Sequence, residues 1–132
     1  WAEKNGVKLL FIEDVFEMGF EKVIKEARRV VGDKPTYLSF DVDGIDPTYT
    51  PGTGTPEIGG YNPREAQQML RGLKGLNFMG ADVVEVSPPF DMTGGTALVA
   101  ANLMFEILCL LADNVARNKA GGGKAASKAK KR

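Results

Sequence analysis

Histidine is absent from the 132-residue chain, and cysteine and tryptophan each occur once. Without an imidazole, any chemistry held here rests on carboxylates, hydroxyls and cationic side chains. A single cysteine, Cys109, excludes an internal disulfide and suits a reducing compartment. It sits in the apolar run Phe105-Glu-Ile-Leu-Cys-Leu-Leu111, where a buried, unreactive thiol is expected rather than a nucleophile. No run of eighteen uncharged apolar residues occurs, and the start Trp1-Ala-Glu-Lys carries neither an initiator Met nor a signal-peptide pattern. The expectation is a cytoplasmic chain with no membrane partner that begins partway through a gene.

Net charge is also lacking: 17 basic side chains balance 17 acidic ones. The balance hides an asymmetry, because residues 117–132 carry seven of the basic groups and no acidic one. Those seven removed from the 17 leave 10 basic side chains against 17 acidic in the body. The stretch 119–132 has almost no large apolar side chain to bury, so it is expected to be a disordered basic tail outside the fold. Such a tail can touch phosphates without sequence specificity, but a solvated role is the plainer reading, and nucleic acid is not expected as a partner.

What remains, residues 1–118, has the length of one domain, and 43% hydrophobic residues are enough for a real core. The apolar run 7–12 reads as a buried strand closed by Glu13 and Asp14. Phe20, Val23, Ile24, Ala27, Val30 and Val31 recur at helical spacing, and Gly32 follows as a stop. The pattern then repeats: a strand over 37–42, a Gly- and Pro-rich loop over 44–60, and a helix opening at Asn62. Asn62 as cap, Pro63 at the first helical position and Glu65 three residues after the cap define that start. A strand over 78–86 and an apolar helix over 96–115, packed on two sides, complete the body. Successive β-then-α units imply an α/β fold with a parallel sheet and right-handed crossovers, a three-layer α/β/α arrangement. Functional residues in such sheets gather beyond the strand C-termini. Those ends carry Glu13 and Asp14, then Asp41, Asp43 and Asp46, then Glu85.

Asp41 and Asp43 are two residues apart, so in extended backbone both carboxylates leave the same face. Clustered aspartates are costly unless a cation or hydrogen bonds hold them. Hard oxygen donors suit Mn²⁺ or Mg²⁺, while turn-capping by the same aspartates is the plain alternative. An EF-hand fails, since its required Gly and Glu positions hold Asp46 and Gly52. Phe40-Asp-Val-Asp-Gly44 also resembles the nucleophile strand of haloacid-dehalogenase-like phosphatases, against which stand Ile45 in place of Thr or Val and the lack of a later paired-aspartate motif.

A longer match exists. Ser39-Phe-Asp-Val-Asp-Gly-Ile-Asp-Pro47, then Thr50-Pro-Gly-Thr-Gly-Thr-Pro56, Gly59-Gly60 and Glu85-Val-Ser-Pro-Pro89, in this order and spacing, resemble the ureohydrolase family of arginases, agmatinases and related guanidino-compound hydrolases. The resemblance covers roughly residues 7–115. It implies the C-terminal part of an arginase-like fold and hydrolysis of a guanidino compound to urea and an amine at a two-Mn²⁺ centre. Asp41 matches the family's bridging metal carboxylate, Asp43 the carboxylate on a single ion, and Glu85 the carboxylate that holds the guanidinium. Thr55 is expected near the pocket rim and Asp46 in the Asp-Pro turn, while Glu13 and Asp14 match no ligand and suit surface or helix-capping roles. The 81–91 segment is more similar to agmatinases and guanidino-acid hydrolases than to arginases, in which Asn-Pro typically follows the glutamate.

The sequence departs from the family in lacking the Gly-Gly-Asp-His and Asp-Ala-His-x-Asp segments that supply the remaining ligands. The resemblance therefore implies that this chain holds part of the site and is inactive alone, and that the full-length protein is a homo-oligomer, trimer or hexamer. A non-catalytic remnant or assembly module of the same fold is the alternative.

Overall fold

The computed structural model describes residues 1–120, the Glu3 side chain apart; beyond them only the course of the last helix is drawn, to Ala129. In chain order the elements are a 3-10 turn (Glu3–Asn5), α1 (Ile12–Met18), α2 (Phe20–Val31), β1 (Thr36–Asp41), a second 3-10 turn (Val42–Gly44), α3 (Pro63–Gly72), β2 (Phe78–Val84), a third 3-10 turn (Pro88–Phe90) and α4 (Gly95–Ala129). The tail expected to be unstructured, 119–132, lies outside the described residues from 121 on; Lys119 and Ala120 continue α4.

The first expected strand does not form. Phe11 keeps an extended backbone (φ −74°, ψ 163°), but α1 begins at Ile12, and Val7, Leu9 and Phe11 are 44%, 49% and 65% exposed. A strand exists only through its ladder partner, and the described sheet consists of β1 and β2 bonded to each other. Asp14 turns out to cap a helix, accepting the Phe11 N–H at 2.9 Å, and Glu13 lies in the first turn of α1 rather than at a strand end.

The other elements follow their local signals. Asn62 Oδ1 accepts the Glu65 N–H at 2.9 Å while Glu65 Oε2 accepts the Asn62 N–H at 2.8 Å, so both orphan donors at the α3 start are satisfied. At its other end, the Arg28 guanidinium of α2 donates to the carbonyls of Gly72 and Lys74 at 3.1 and 2.9 Å. That places a cation on the negative end of α3.

β1 and β2 are parallel, with Leu38 opposite Ala81, Phe40 opposite Val83 and Asp41 opposite Val84. Their C-terminal ends therefore coincide. Phe40, Leu70, Phe78, Leu103, Ile107 and Leu110 form the core between the sheet and α3 and α4, with Leu38, Ala81 and Val83 packed against it. On the opposite strand face, the Tyr37 hydroxyl donates to Asp82 Oδ2 at 2.8 Å. The Ser39 and Tyr37 hydroxyls hold the Asp82 carboxyl below its ordinary range.

Over 95–120, α4 is long and apolar enough in composition to cross a membrane. One face docks on the core, while Leu98, Met104, Phe105 and Leu108 are exposed, so the helix packs on one side rather than on the expected two. Ala100, Leu103, Ile107, Leu110 and Asn114 are buried along one seam, and Arg71 of α3 pairs with Glu106 beside it. That seam also corrects the expectation for Cys109, which is exposed. Two positions beyond Ile107, at about 100° per residue, Cys109 points away from the seam.

Candidate active site

The parallel register delivers Asp41 and Glu85 to the same edge of the sheet, because Asp41 lies opposite Val84. At the end of β1 the chain turns sharply: Asp41 Oδ1 accepts the Asp43 N–H at 2.9 Å and so caps the 3-10 turn Val42–Gly44. The turn-capping role and the candidate ligand role thus fall on one residue.

The 44–60 loop folds back onto that turn. The Tyr61 N–H donates to the Gly44 carbonyl at 3.2 Å, and the Asp46 N–H donates to the Tyr61 carbonyl at 3.0 Å, so the two ends of the loop lie side by side. Gly60 packs so tightly here that a Cβ would fall 2.5 Å from Gly44 O and 2.7 Å from Asp46 N. Asp46 fixes the bend as expected, accepting the Thr48 and Gly59 N–H groups, each at 2.9 Å. The Thr48 side chain, then the Gly59 and Thr48 amides, hold its carboxyl below the usual range. Fully buried Thr50 braces the loop from inside, with its hydroxyl 3.2 Å from the Ile45 carbonyl.

Two threonines of the same loop reach Asp43. The Thr53 hydroxyl donates to Asp43 Oδ1 and the Thr55 hydroxyl to Oδ2. Thr53 Oγ1 also lies 3.0 Å from the backbone carbonyl of Glu85. Glu85 has φ +68° and is the one non-glycine among the described residues with positive φ. Such a backbone costs an L-residue roughly 1–3 kcal/mol and persists where its surroundings hold it. The hydrogen bond from the Ser87 N–H to the Gly52 carbonyl at 2.8 Å holds it, with the Thr53 hydroxyl within reach of its carbonyl. The expected strand over 78–86 accordingly ends at Val84.

All four candidate residues thus belong to one connected unit. Asp41 caps the turn carrying Asp43, Asp43 accepts Thr55 and Thr53, and Thr53 reaches Glu85. Thr53 is the participant that the sequence reading left out. Its signal was the Thr-x-Thr alternation across Gly54, of which Thr55 alone was singled out.

Beside Asp43 opens a cleft of about 490 Å³ lined by Leu10, Ile12, Glu13, Asp43, Glu57 and Tyr61 among others, a size that suits a small ligand. Burial, and secondarily the Asp41 charge, push the Tyr61 phenol up from its ordinary value, so it stays a neutral donor at the cleft wall. The donor chemistry fits a hard divalent cation, since every side-chain ligand on offer is oxygen. It does not close a coordination sphere: among the described residues no three His, Cys, Asp or Glu side chains converge on one point.

A model of the Arginase family matches residues 1–110. The guanidinopropionase of Pseudomonas aeruginosa is 58% identical over 118 residues, which are 89% of this chain and 37% of that protein. The mitochondrial guanidino acid hydrolase of Homo sapiens is 52% identical over 111 residues, 84% of this chain and 32% of that protein. Among solved structures, the proclavaminate amidino hydrolase from Streptomyces clavuligerus superposes with a TM-score of 0.82 at 37% identity, over 86% of this chain and 38% of that one. The chain therefore spans about a third of the length of the relatives it matches. A phosphatase reading of Asp41-Val-Asp-Gly44 is set aside by the same matches. By the family match over most of its length and by the likeness of its α/β fold, this chain belongs to the arginase family.

Proposed function

We propose that this chain supplies one side of the active centre of a manganese-dependent ureohydrolase that splits a guanidino acid into urea and an amine. The observation that carries the reading is the connection of Asp41, Asp43 and Glu85 at one sheet edge through Thr53. Asp41 and Asp43 would hold metal. When bound, the two ions supply acidification of water and stabilisation of charge at the guanidinium carbon. Glu85 offers the planar guanidinium a carboxylate, a pairing that fixes orientation as well as charge. Thr55, exposed and bonded to Asp43 Oδ2, would stand near the pocket rim. Identity to a guanidinopropionase and a guanidino acid hydrolase supports an ω-guanidino acid over agmatine or arginine as substrate.

The remaining ligands lie outside this chain, so the chain alone is expected to bind Mn²⁺ weakly and to turn over no substrate. The full-length protein is proposed to be a cytoplasmic homo-oligomer, a trimer or hexamer, which cell fractionation and analytical ultracentrifugation would test. For the activity, the longest chain its gene encodes is assayed for urea release with Mn²⁺ from 3-guanidinopropionate, 4-guanidinobutyrate, agmatine and arginine. Urea from a guanidino acid, reduced at least about 100-fold by Asp41→Ala and by Asp43→Ala, is the expected outcome. Glu85→Gln is expected to raise KM. No urea from any of the four compounds would sink the proposal.

A further inference from the structure

Thr53 is a single proton donor set between two acceptors. Its hydroxyl donates to Asp43 Oδ1, and the same oxygen lies 3.0 Å from the Glu85 carbonyl. The residue is 3% exposed, so solvent water does not compete for the group. One O–H can serve one acceptor well or share itself between two. An anionic carboxylate is the stronger acceptor, so with nothing else bound Asp43 takes the larger share. A cation on Asp43 would reverse that preference by neutralising its charge, and the proton would then turn to the Glu85 carbonyl.

The Glu85 carbonyl belongs to a turn that needs holding. Its +68° φ is a conformation that a side chain disfavours. The adjacent residue of the loop also clasps this turn: the Gly52 carbonyl accepts the Ser87 N–H at 2.8 Å, and the Gly52 N–H donates to Thr96 Oγ1 at 2.8 Å, which ties the loop to the start of α4. Gly52 and Thr53 therefore form a bridge from the Asp43 turn to the Glu85 turn, and the hydroxyl is the part of that bridge able to change partner.

We propose that Thr53 is a positioning residue that couples cation binding at Asp43 to the placement of the Glu85 carboxylate. The inference rests on the reading that Asp43 holds metal and Glu85 holds the guanidinium. A cation on Asp43 directs the hydroxyl to Glu85, fixes the left-handed turn, and sets the carboxylate for the substrate. By linkage, substrate on Glu85 strengthens cation binding by the same factor.

The test uses the longest chain the gene encodes, loaded with Mn²⁺. Thr53→Val keeps the shape and removes the donor; Thr53→Ser keeps the donor. Thr53→Val is expected to raise KM about tenfold, a typical size for such coupling, with kcat changed less than about threefold, while Thr53→Ser stays within about threefold of wild type in both. A merely structural threonine would lower the yield of folded protein and leave KM alone. Independently of activity, Mn²⁺ added to the wild-type apoprotein is expected to slow amide exchange at residues 85–87 about fivefold or more, and Thr53→Val should lose that response. A wild-type KM in Thr53→Val, equal damage in Thr53→Ser, or exchange at 85–87 that ignores Mn²⁺ would each overturn the proposal. Should Thr53→Val fail to fold, the wild-type exchange experiment decides alone. Absence of urea release by the wild type counts against the hydrolase reading, whereas an active enzyme without the coupling counts against the role of Thr53.

Discussion

Thr50 offers a sharp test of how the 44–60 loop is held. Its side chain is fully buried, with the hydroxyl 3.2 Å from the Ile45 carbonyl and 3.4 Å from that of Val42. The Val42 carbonyl also accepts the Ile45 N–H at 3.0 Å and keeps that partner when the hydroxyl goes. The Ile45 carbonyl has no second partner among the described hydrogen bonds, and Ile45 is 1% exposed. Thr50→Val preserves shape and strands that one acceptor. Leaving a buried acceptor unpaired costs about 1–3 kcal/mol. Replacing the hydroxyl by a methyl returns part of this, so a net loss of about 1–2 kcal/mol is expected. Ile45 sits between Asp43 and Asp46, so the loosened backbone should also weaken Mn²⁺ binding. Urea denaturation with an unchanged m-value reads the first effect, and titration calorimetry with Mn²⁺ reads the second. A variant with the wild-type denaturation midpoint and wild-type Mn²⁺ affinity would show that the hydroxyl does not brace the loop.

Other perturbations separate packing, backbone and charge. Gly60→Ala puts a Cβ within 3 Å of backbone atoms of Gly44, Ile45 and Asp46, none of which can yield without moving the turn that carries Asp43; urea release should fall at least about tenfold, while Gly54→Ala, with nothing within 4 Å, should keep it. Leu103→Ala, at a fully buried position in the core under the sheet, should cost about 2–5 kcal/mol in chemical denaturation. Asp91 accepts the Ala97 N–H at 2.8 Å and the Thr96 N–H at 3.2 Å, and the Ala97 amide, followed by the Thr96 groups and the Gly95 amide, outweighs burial to hold its carboxyl below the usual range. A lowered folded-state pKa gives stability that is full above the unfolded value, about 4, and is lost as pH falls through the folded value. The melting temperature of Asp91→Asn should therefore decline less than that of wild type from pH 5 downward, and parallel curves would refute the cap.

Where a signal is carried by neighbours in sequence, the chain announced its structure by itself. The start of α3 was legible because Asn62, Pro63 and Glu65 complete each other's hydrogen bonds within one turn. The Asp41 and Asp43 pair was legible as a motif at a strand end, but the shared face expected of extended backbone did not follow, because the chain leaves β1 at Asp41 and Asp43 sits in a 3-10 turn that Asp41 caps. The bend at Asp46 was legible because an aspartate bonds to amides nearby in the chain. The linked motifs also pointed to the family, since their order and spacing survive without any knowledge of contacts.

Tertiary structure decided what depends on partners far along the chain. Residues 7–12 have the composition of a strand, yet a strand is defined by a ladder, and neither β1 nor β2 supplies one. Cys109 sits in an apolar run whose residues alternate between the buried seam of α4 and its open side, and only the docked helix shows which is which. Glu85 reads as the next residue of a strand, but a loop more than 30 positions earlier bends it into the left-handed region. Thr53 is unremarkable in sequence; the fold makes it a link by setting one hydroxyl between Asp43 and Glu85, residues 10 and 32 positions away from it. The sequence thus determined the motifs that point to the family and the local turns and caps, because their order and spacing are set by neighbours along the chain. The fold alone decided how those groups are joined, because a hydrogen bond across the sheet edge exists only once the strands have paired.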